Sequence, residues 1–456
     1  MKHRILAALL TGALLLSVLS VAASAAPAYQ IGNPYAAVNW DAWKGYKTQL
    51  HCHTNVSDGE VPLNEQVEEH YRLGYDALCI TDHMSLGVPW NQIPKTVPFM
   101  RLVKYSRTQM LPIAPLTDER RQEMLTGVGR DGQPMLEVTQ GVELNGAVPS
   151  NSHLQGWFCD YGQGKIGVDG DYETPVKGVQ AAGGLSSLNH IGDTSKADVS
   201  DDPLNFYQEN PKWANKLSNI FIQYSALIGM DINSGEDTHT KYDSILYDQI
   251  LQKVIPYGRT PWAFTYSDAH SPGQFDRAFT VHMMPELNLT ALRKSMETGA
   301  FFSVARYARL EVDEDFVGQG AVPKVTRITV SEADAKITID AQYADTIVWI
   351  SDGKEIARGA TLDIAANDAK IGCYVRAYLT GSGGILYVQP FTVLRAGQPL
   401  AKEPIPKVFD YSNVLRFLAD AITFLSPKFT PQWFAWQLLT NFDPAVDLAW
   451  LTNLFR

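Results

Sequence analysis

The chain of 456 residues has little to offer a nucleic acid: 38 Lys and Arg stand against 49 Asp and Glu, for a net charge of −11. No basic stripe is present either, and a nucleic-acid surface needs clustered cations. Cysteine is scarce, at four residues: Cys52, Cys79, Cys159 and Cys373. On a strand Cys52 faces away from its two histidine neighbours, whereas Cys79 faces inward with His83, which disfavours a bridge between them. Cys159 and Cys373 fall in different predicted domains, so buried free thiols are expected, with Cys as a metal ligand the weaker alternative. Apolar, aromatic and charged fractions of 45%, 11% and 19% are ordinary for a soluble globular chain long enough for two or three domains.

The N-terminus reads as a leader. Lys2, His3 and Arg4 precede an apolar run from Ile5 to about Val21, then Ala23-Ser24-Ala25, the pattern of a secretory signal peptide. Cleavage is expected after Ala25, with an uncleaved anchor as the alternative. No Cys follows the apolar run to take a lipid. The mature protein is therefore expected outside the cytoplasm, secreted or in the periplasm and cell envelope.

What the chain does carry is a set of histidines and carboxylates at strand ends. Gln49–His83 opens with His51 and His53 at alternate positions of an apolar run, so on a strand both side chains leave one face. Ser57-Asp58-Gly59 follows, and Ala77–Ile80 runs into Thr81-Asp82-His83. Further on come Glu143 in GVELNG, His153 in NSHLQGWF, His190 in SLNHIGD, and Asp268 with His270 in YSDAH. A lone His-x-His pair arises readily by chance. Here six of the nine histidines outside the leader share one pattern, most of them after a short apolar run, and coincidence becomes a poor account. Imidazole suits zinc, iron and manganese, and carboxylates can bridge two ions.

Taken together, HCH with SDG, ITDH, GVE, HLQGWF, NHIG and SDAH resemble the PHP (polymerase and histidinol phosphatase) metallohydrolases, in the family's order, across roughly Tyr46–Arg306. The chain is most similar to the secreted branch grouped with the CehA/McbA metallohydrolases. The resemblance implies a distorted (β/α)7 barrel with two or three divalent metal ions at the strands' C-terminal ends. It assigns His51, His53, Glu143 and Asp268 to a first ion, with Asp58 and His83 helping at a second that Glu143 bridges. His153 and His190 would hold a third, and His270 completes the cluster. Asp58, His83, Asp268 and His270 are the candidate catalytic residues, and Asp82, Asn189 and Asn233 are candidates for orienting the ligands.

Along the chain, Ala26–Trp43 is expected to wrap the barrel surface. Lys47–His53, Ala77–His83, Leu136–Glu143, Ser152–Phe158, Leu185–Asn189, Ala226–Ile232 and Trp262–Ser267 read as strands. Pro62–Leu73, Tyr172–Ala182, Asp237–Lys253 and Leu289–Gly299 read as helices, and the alternation signals an α/β barrel spanning residues 26–308. The segment 84–133 is too long for a barrel loop and is read as an insertion or lid. It holds Trp90 and Phe99, expected to pack the segment down, and Arg101; Trp90 and Arg101 are also candidates for substrate contact, as is Arg306. His70, His239 and His282 lie outside the pattern and are read as surface or helix residues. Short alternating runs bounded by turn dipeptides over 309–397 predict a small β-sandwich. After a Pro-spaced linker, the rest of 398–456 is apolar and aromatic at helical spacing over Tyr411–Phe424 and Pro431–Phe455. Neither run reaches membrane-spanning length. Docking on the body of the protein is expected, with a dimer or membrane-surface contact as the alternative.

Clustered divalent ions make hydroxide available near neutral pH, clamp substrate oxygens and stabilise developing charge. The expected partner is a small-molecule ester, phosphorylated by preference, because several phosphate oxygens can use a third ion. A carboxyl-ester or carbamate hydrolase with the same ligands, and Trp90 and Phe99 around the leaving group, is the alternative. A non-catalytic envelope binding protein is a third reading, against which stands a competent ligand at every expected position.

Overall fold

The structure, a computed structural model, describes residues 28–96, 112–145, 152–164 and 172–408. The leader, Phe99, Arg101, Tyr411–Phe424 and Pro431–Phe455 lie outside the described residues. Strands β1 (Tyr29–Gly32) and β2 (Lys44–Gln49) precede helix α1 (Leu63–Arg72), whose buried Leu63, Val67 and Tyr71 recur at helical spacing. β3 (Ala77–Cys79) follows. In the insertion, α2 (Asp118–Thr126) starts at Thr117, whose side chain accepts from Arg120 N at 3.1 Å, and stops at Gly127, φ 81°. Next come β4 (Leu136–Val138), β5 (Val142–Asn145), β6 (His153–Trp157), α3 (Glu173–Ala181) and β7 (Leu185–Leu188). They lead to α4 (Lys212–Gln223), β8 (Leu227–Asp231), α5 (Asp243–Val254), β9 (Trp262–Phe264), β10 (Ala278–Met284), α6 (Leu289–Thr298) and β11 (Phe301–Ala305). The C-terminal β-rich part holds β12 (Lys324–Ser331), β13 (Lys336–Gln342), β14 (Thr346–Ser351), β15 (Lys354–Arg358), β16 (Thr361–Asp363), β17 (Tyr374–Gly381) and β18 (Gly384–Arg395). α4 and β10 lie where the sequence patterns suggested no element.

Two seams turn these strands into a circuit around the site. β2 pairs parallel with β3, and β5-β6-β7-β8-β9 form a five-stranded sheet. Single parallel bridges, His83 to Glu143 and Cys52 to Ala269, join that sheet's two ends to the continuations of β3 and β2. The expected strand Leu136–Glu143 is in fact two. Gln140 takes φ 62° between them, so β4 stays beside β3 while β5 leaves for the second sheet. The expected uniform run of parallel strands is also broken, because β6 is antiparallel to both β5 and β7. That reversal matters for His153, which stands at the first residue of β6, opposite Asn145 at the last residue of β5. It thus reaches the end of the circuit where its neighbours' C-terminal ends lie.

The residues of 309–397 do not keep a sheet to themselves. β12, β13 and β16 make a three-stranded sheet, whereas β14, β15, β17 and β18 extend through β11 and β10 into β2. β18 is twelve residues long and pairs with β17, β11 and β1, which satisfies its backbone groups on both edges. The N-terminal segment expected to wrap the surface is partly core: Tyr35 is buried, stacks on Phe302 at 4.9 Å and donates to Phe301 O at 2.9 Å. All four cysteines are free and buried, as expected. His70 lies on helix α1 as expected, though buried, and His239 is exposed beside Asp198, whereas His282 is neither on a helix nor on the surface but fully buried on β10. Among the described residues, no helix is long and apolar enough to cross a membrane.

A buried ion pair ties α5 to the C-terminal strands. Arg376 on β17 donates from Nε and Nη2 to the two oxygens of Asp248, at 2.7 and 2.5 Å, and Tyr374 Oη donates to Oδ1 at 2.6 Å. Both charged groups are buried, so removing one leaves the other uncompensated. Asp248→Ala is expected to cost about 3–5 kcal/mol in urea unfolding, whereas replacing both partners by apolar residues of similar volume should cost less. Equal losses in the two variants would show that packing, not charge, decides.

Candidate metal centre

The circuit delivers nine donors to one place. His51 and His53 continue from β2, and at alternate positions of an extended chain they point the same way, with ring centroids 5.0 Å apart. Asp58 arrives on the turn after them, and His83 lies just beyond β3. Glu143 is on β5, His153 begins β6 and His190 follows β7 after Asn189. Asp268 and His270 come on the segment after β9. His190 and Asp268 hold left-handed backbone at φ 27° and 47°, unusual for non-glycine residues and found where the fold over-determines a side chain's aim.

Three groups of donors have ligand atoms within 4.8 Å of one another: His53, Asp58, His83 and His270; His51, His53, Glu143 and Asp268; and His83, Glu143 and His153. The second group has the same membership as the first-ion set implied by the resemblance. The groups overlap through His53, His83 and Glu143. His190 stands outside them but brings Nε2 to 3.1 Å from Glu143 Oε1. His270 Nε2 lies 3.1 Å from Asp58 Oδ2, and His51 Nε2 lies 3.1 Å from Asp268 Oδ1.

The donor set fits divalent cations. His53 Nε2 and Asp268 Oδ1 are buried without a hydrogen-bond partner and lie 3.2 Å apart, a cost that a shared ion would relieve. Several rings have one nitrogen anchored by the protein, which leaves the other for an ion. Thr81 Oγ1 at 2.9 Å and Gln155 Nε2 hold His51 Nδ1, while Asn145 meets His83 Nδ1 at 3.1 Å and His153 Nε2 at 2.9 Å. Imidazole and carboxylate together suit zinc, manganese and iron.

Electrostatics point the same way. Burial penalises the ionised carboxyls of Asp58, Glu143 and Asp268, yet the surrounding imidazoles outweigh it and hold all three well below the usual range. In return, although burial opposes the charge, Glu143 and Asp268 raise His51, Asp58 leads in raising His53 and His270, and Glu143 raises His190 to about 10. Burial dominates at His153, which falls to about 3. The carboxylates thus favour positive charge at His51, His53, His190 and His270.

Of the remaining sequence candidates, Asn189 Nδ2 donates to Glu143 Oε1 at 2.8 Å. Asp82 organises the turn that carries Asp58, accepting from Thr54 N, Ser57 N and both hydroxyls at 2.7–3.2 Å. Asn233 does not reach the ligands: its Nδ2 donates to Tyr307 O and Tyr387 Oη. Arg306 does not line the site either, since its guanidinium is committed to Gly320 O, Gly383 O and Asp276. Trp90 is buried in the core, with its backbone N donating to Glu137, so it packs the inserted segment down and offers no surface to a substrate. Gln155 and Asn145 escaped notice in the sequence, although each lies two residues beyond a ligand on a strand, the spacing that shares a face.

Residues 49–148 match the family model of the PHP domain, a segment that holds His51, His53, Asp58, His83 and Glu143. The chain therefore carries a PHP domain. No curated protein matches it. A solved structure from Bacteroides vulgatus, described as a two-domain protein containing a predicted PHP-like metal-dependent phosphoesterase, aligns over 79% of this chain and 89% of its own, at 15% identity and a TM-score of 0.38. A lesion-specific endonuclease from Pyrococcus furiosus aligns over 62% of each chain, at 12% identity and a TM-score of 0.34. An amidohydrolase from Chromobacterium violaceum aligns over 56% of this chain and 96% of its own, at 15% identity and a TM-score of 0.28.

An ion entering this site must displace protons from imidazoles whose affinity for them the carboxylates have raised. Metal uptake at neutral pH is expected to release protons, and apparent affinity to fall as pH is lowered, by about tenfold per unit for each proton displaced. Calorimetry in two buffers of different ionisation enthalpy reads the release directly; equal heats in both would refute it. Glu143→Gln should lower the bound-metal count measured by elemental analysis, since this carboxylate belongs to two of the three donor groups.

Proposed function

We propose that this protein is an exported metal-dependent phosphoesterase of the PHP type, acting on phosphate mono- or diesters at a di- or trinuclear centre of zinc, manganese or iron. The observation that carries the reading is the sharing of His53, His83 and Glu143 among three donor groups, which suits adjacent ions better than a single one. When bound, such ions make hydroxide available near neutral pH and neutralise charge on the substrate and leaving group. His51, His53, Glu143 and Asp268 would hold one ion. Asp58, His83 and His270 would hold a second with His53, and His153 and His190 a third with Glu143. The side chains of Asp268 and His270 are 22% and 31% exposed against 1% for Glu143, so these two face the substrate while Asp58 orients His270.

A phosphate ester offers several oxygens to such a centre, which favours it over a carboxyl ester or carbamate. The seven-strand circuit fits a distorted (β/α)7 barrel within 26–308, followed by the β-rich part 309–397. We place the chain in the secreted CehA/McbA-like branch, delivered by its leader, with the C-terminal segment beyond 398 docked on the body or on a dimer or membrane surface.

The deciding measurement is nitrophenol release from nitrophenyl phosphate, bis(nitrophenyl) phosphate and nitrophenyl acetate by mature protein loaded with zinc, manganese or iron. Chelator-sensitive turnover of a phosphate ester, with acetate slow, is expected. Acetate turnover alone would make the protein a carbonyl-ester hydrolase, and silence on all three with metal bound would favour a binding role. His51→Ala with His53→Ala should abolish hydrolysis while leaving the circular dichroism spectrum intact.

A further inference from the structure

The donors open onto a cavity of about 730 Å³ whose other wall is Ser234–Thr240 and the turn from His270 to Arg277. Among the described residues lining it, Arg277 is the only Lys or Arg, and no aromatic other than histidine and no aliphatic side chain is present. Arg277 is tied to the metal ligands through a hydrogen-bonded turn. Gln274 Oε1 accepts from His270 N at 2.7 Å and Ser271 N at 2.9 Å, and Gln274 O accepts from Arg277 N at 3.4 Å. Across the cavity wall its guanidinium pairs with Glu236. Glu236 is itself held in place by its neighbours. Asp237 next to it takes φ 51° and accepts from Arg309 N at 3.0 Å and Nη1 at 2.7 Å, while Ser234 N donates to Thr240 Oγ1 at 2.9 Å.

We propose that Arg277 is the residue that selects phosphate monoesters, waiting on Glu236 until a substrate takes its guanidinium, an inference that rests on the phosphoesterase reading. A monoester carries three unesterified oxygens. With two turned to the donor cluster, the third and its charge remain for a cation at the wall, and a guanidinium fork suits phosphate oxygens. A diester puts its second ester arm at that oxygen and gives up the charge. Glu236 is 40% exposed, and a partly exposed ion pair is weak, so a phosphate dianion can displace it. Thr238 with its hydroxyl and Gln274 with its amide nitrogen then face the leaving group. With no aromatic side chain to stack a leaving group, the natural substrate class is a phosphate monoester of a small, hydroxyl-bearing alcohol, and a nitrophenyl ester binds through its phosphate alone.

The test uses the metal-loaded full chain with nitrophenyl phosphate and bis(nitrophenyl) phosphate as paired substrates. R277Q is expected to raise KM for the monoester by about tenfold or more, and by at least tenfold more than for the diester. R277K should recover part of the loss, and E236Q should lower the monoester KM. An equal change on both esters, or none on either, overturns the role of Arg277. Failure of the wild-type protein to turn over either phosphate ester overturns the phosphoesterase reading instead. In that case calorimetry with inorganic phosphate still judges Arg277, since R277Q binding phosphate as well as wild type would overturn it.

Discussion

One buried carboxylate organises the heart of this molecule. Glu143 lies 3.1–3.5 Å from nitrogens of His51, His53, His83, His153 and His190, which arrive from four different parts of the strand circuit. A carboxylate 1% exposed among five imidazoles is tolerable because it raises His51, His53 and His190 towards the charged form against the cost of burial. Take that charge away and the centre becomes a cluster of uncompensated buried polar groups. The same balance that stores protons here is what a divalent cation would exploit.

Several irregularities of the fold serve that meeting. The break at Gln140 moves Glu143 off the line of β4 and onto a sheet that faces His83. The reversal of β6 brings His153 to the same end as its neighbours' C-terminal ends, and left-handed backbone at His190 and Asp268 aims two more donors. Such departures from regular geometry collect where function over-determines the chain. Around them lies a shell of Thr81, Asn145, Gln155 and Asn189, which holds the rings and the central carboxylate in place.

Farther out, the C-terminal strands and the body of the protein are mechanically continuous. β18 carries one sheet from β17 to β11 and on towards β2, the strand that leads to His51. The Arg376–Asp248 pair fastens α5 to β17 from the other side. The cavity wall at Ser234–Thr240 lies between β8 and α5, so the packing of the C-terminal part bears on the shape of that cavity.

The identity of the donors was legible in the sequence because metal chemistry admits few residue types, and because a period of two along a strand puts His51 and His53 on one face. The same holds for the four free cysteines and for α1, where the apolar spacing is unambiguous. What the sequence could not decide is whatever depends on distant strands meeting. That Arg306 turns away to Asp276 while Arg277 lines the cavity, that Trp90 is core, and that Asn233 misses the ligands follow from how loops far apart in the chain pack together. Nor does local pattern reveal that the strands of 309–397 join a larger sheet, since an edge strand's partner is chosen by tertiary neighbours and not by its own alternation. The sequence by itself determined which side chains are candidate ligands and that most of them end strands; the tertiary structure alone decided that five imidazoles converge on Glu143 and that Arg277 lines the cavity, because convergence is a property of the closed circuit and not of any segment in it.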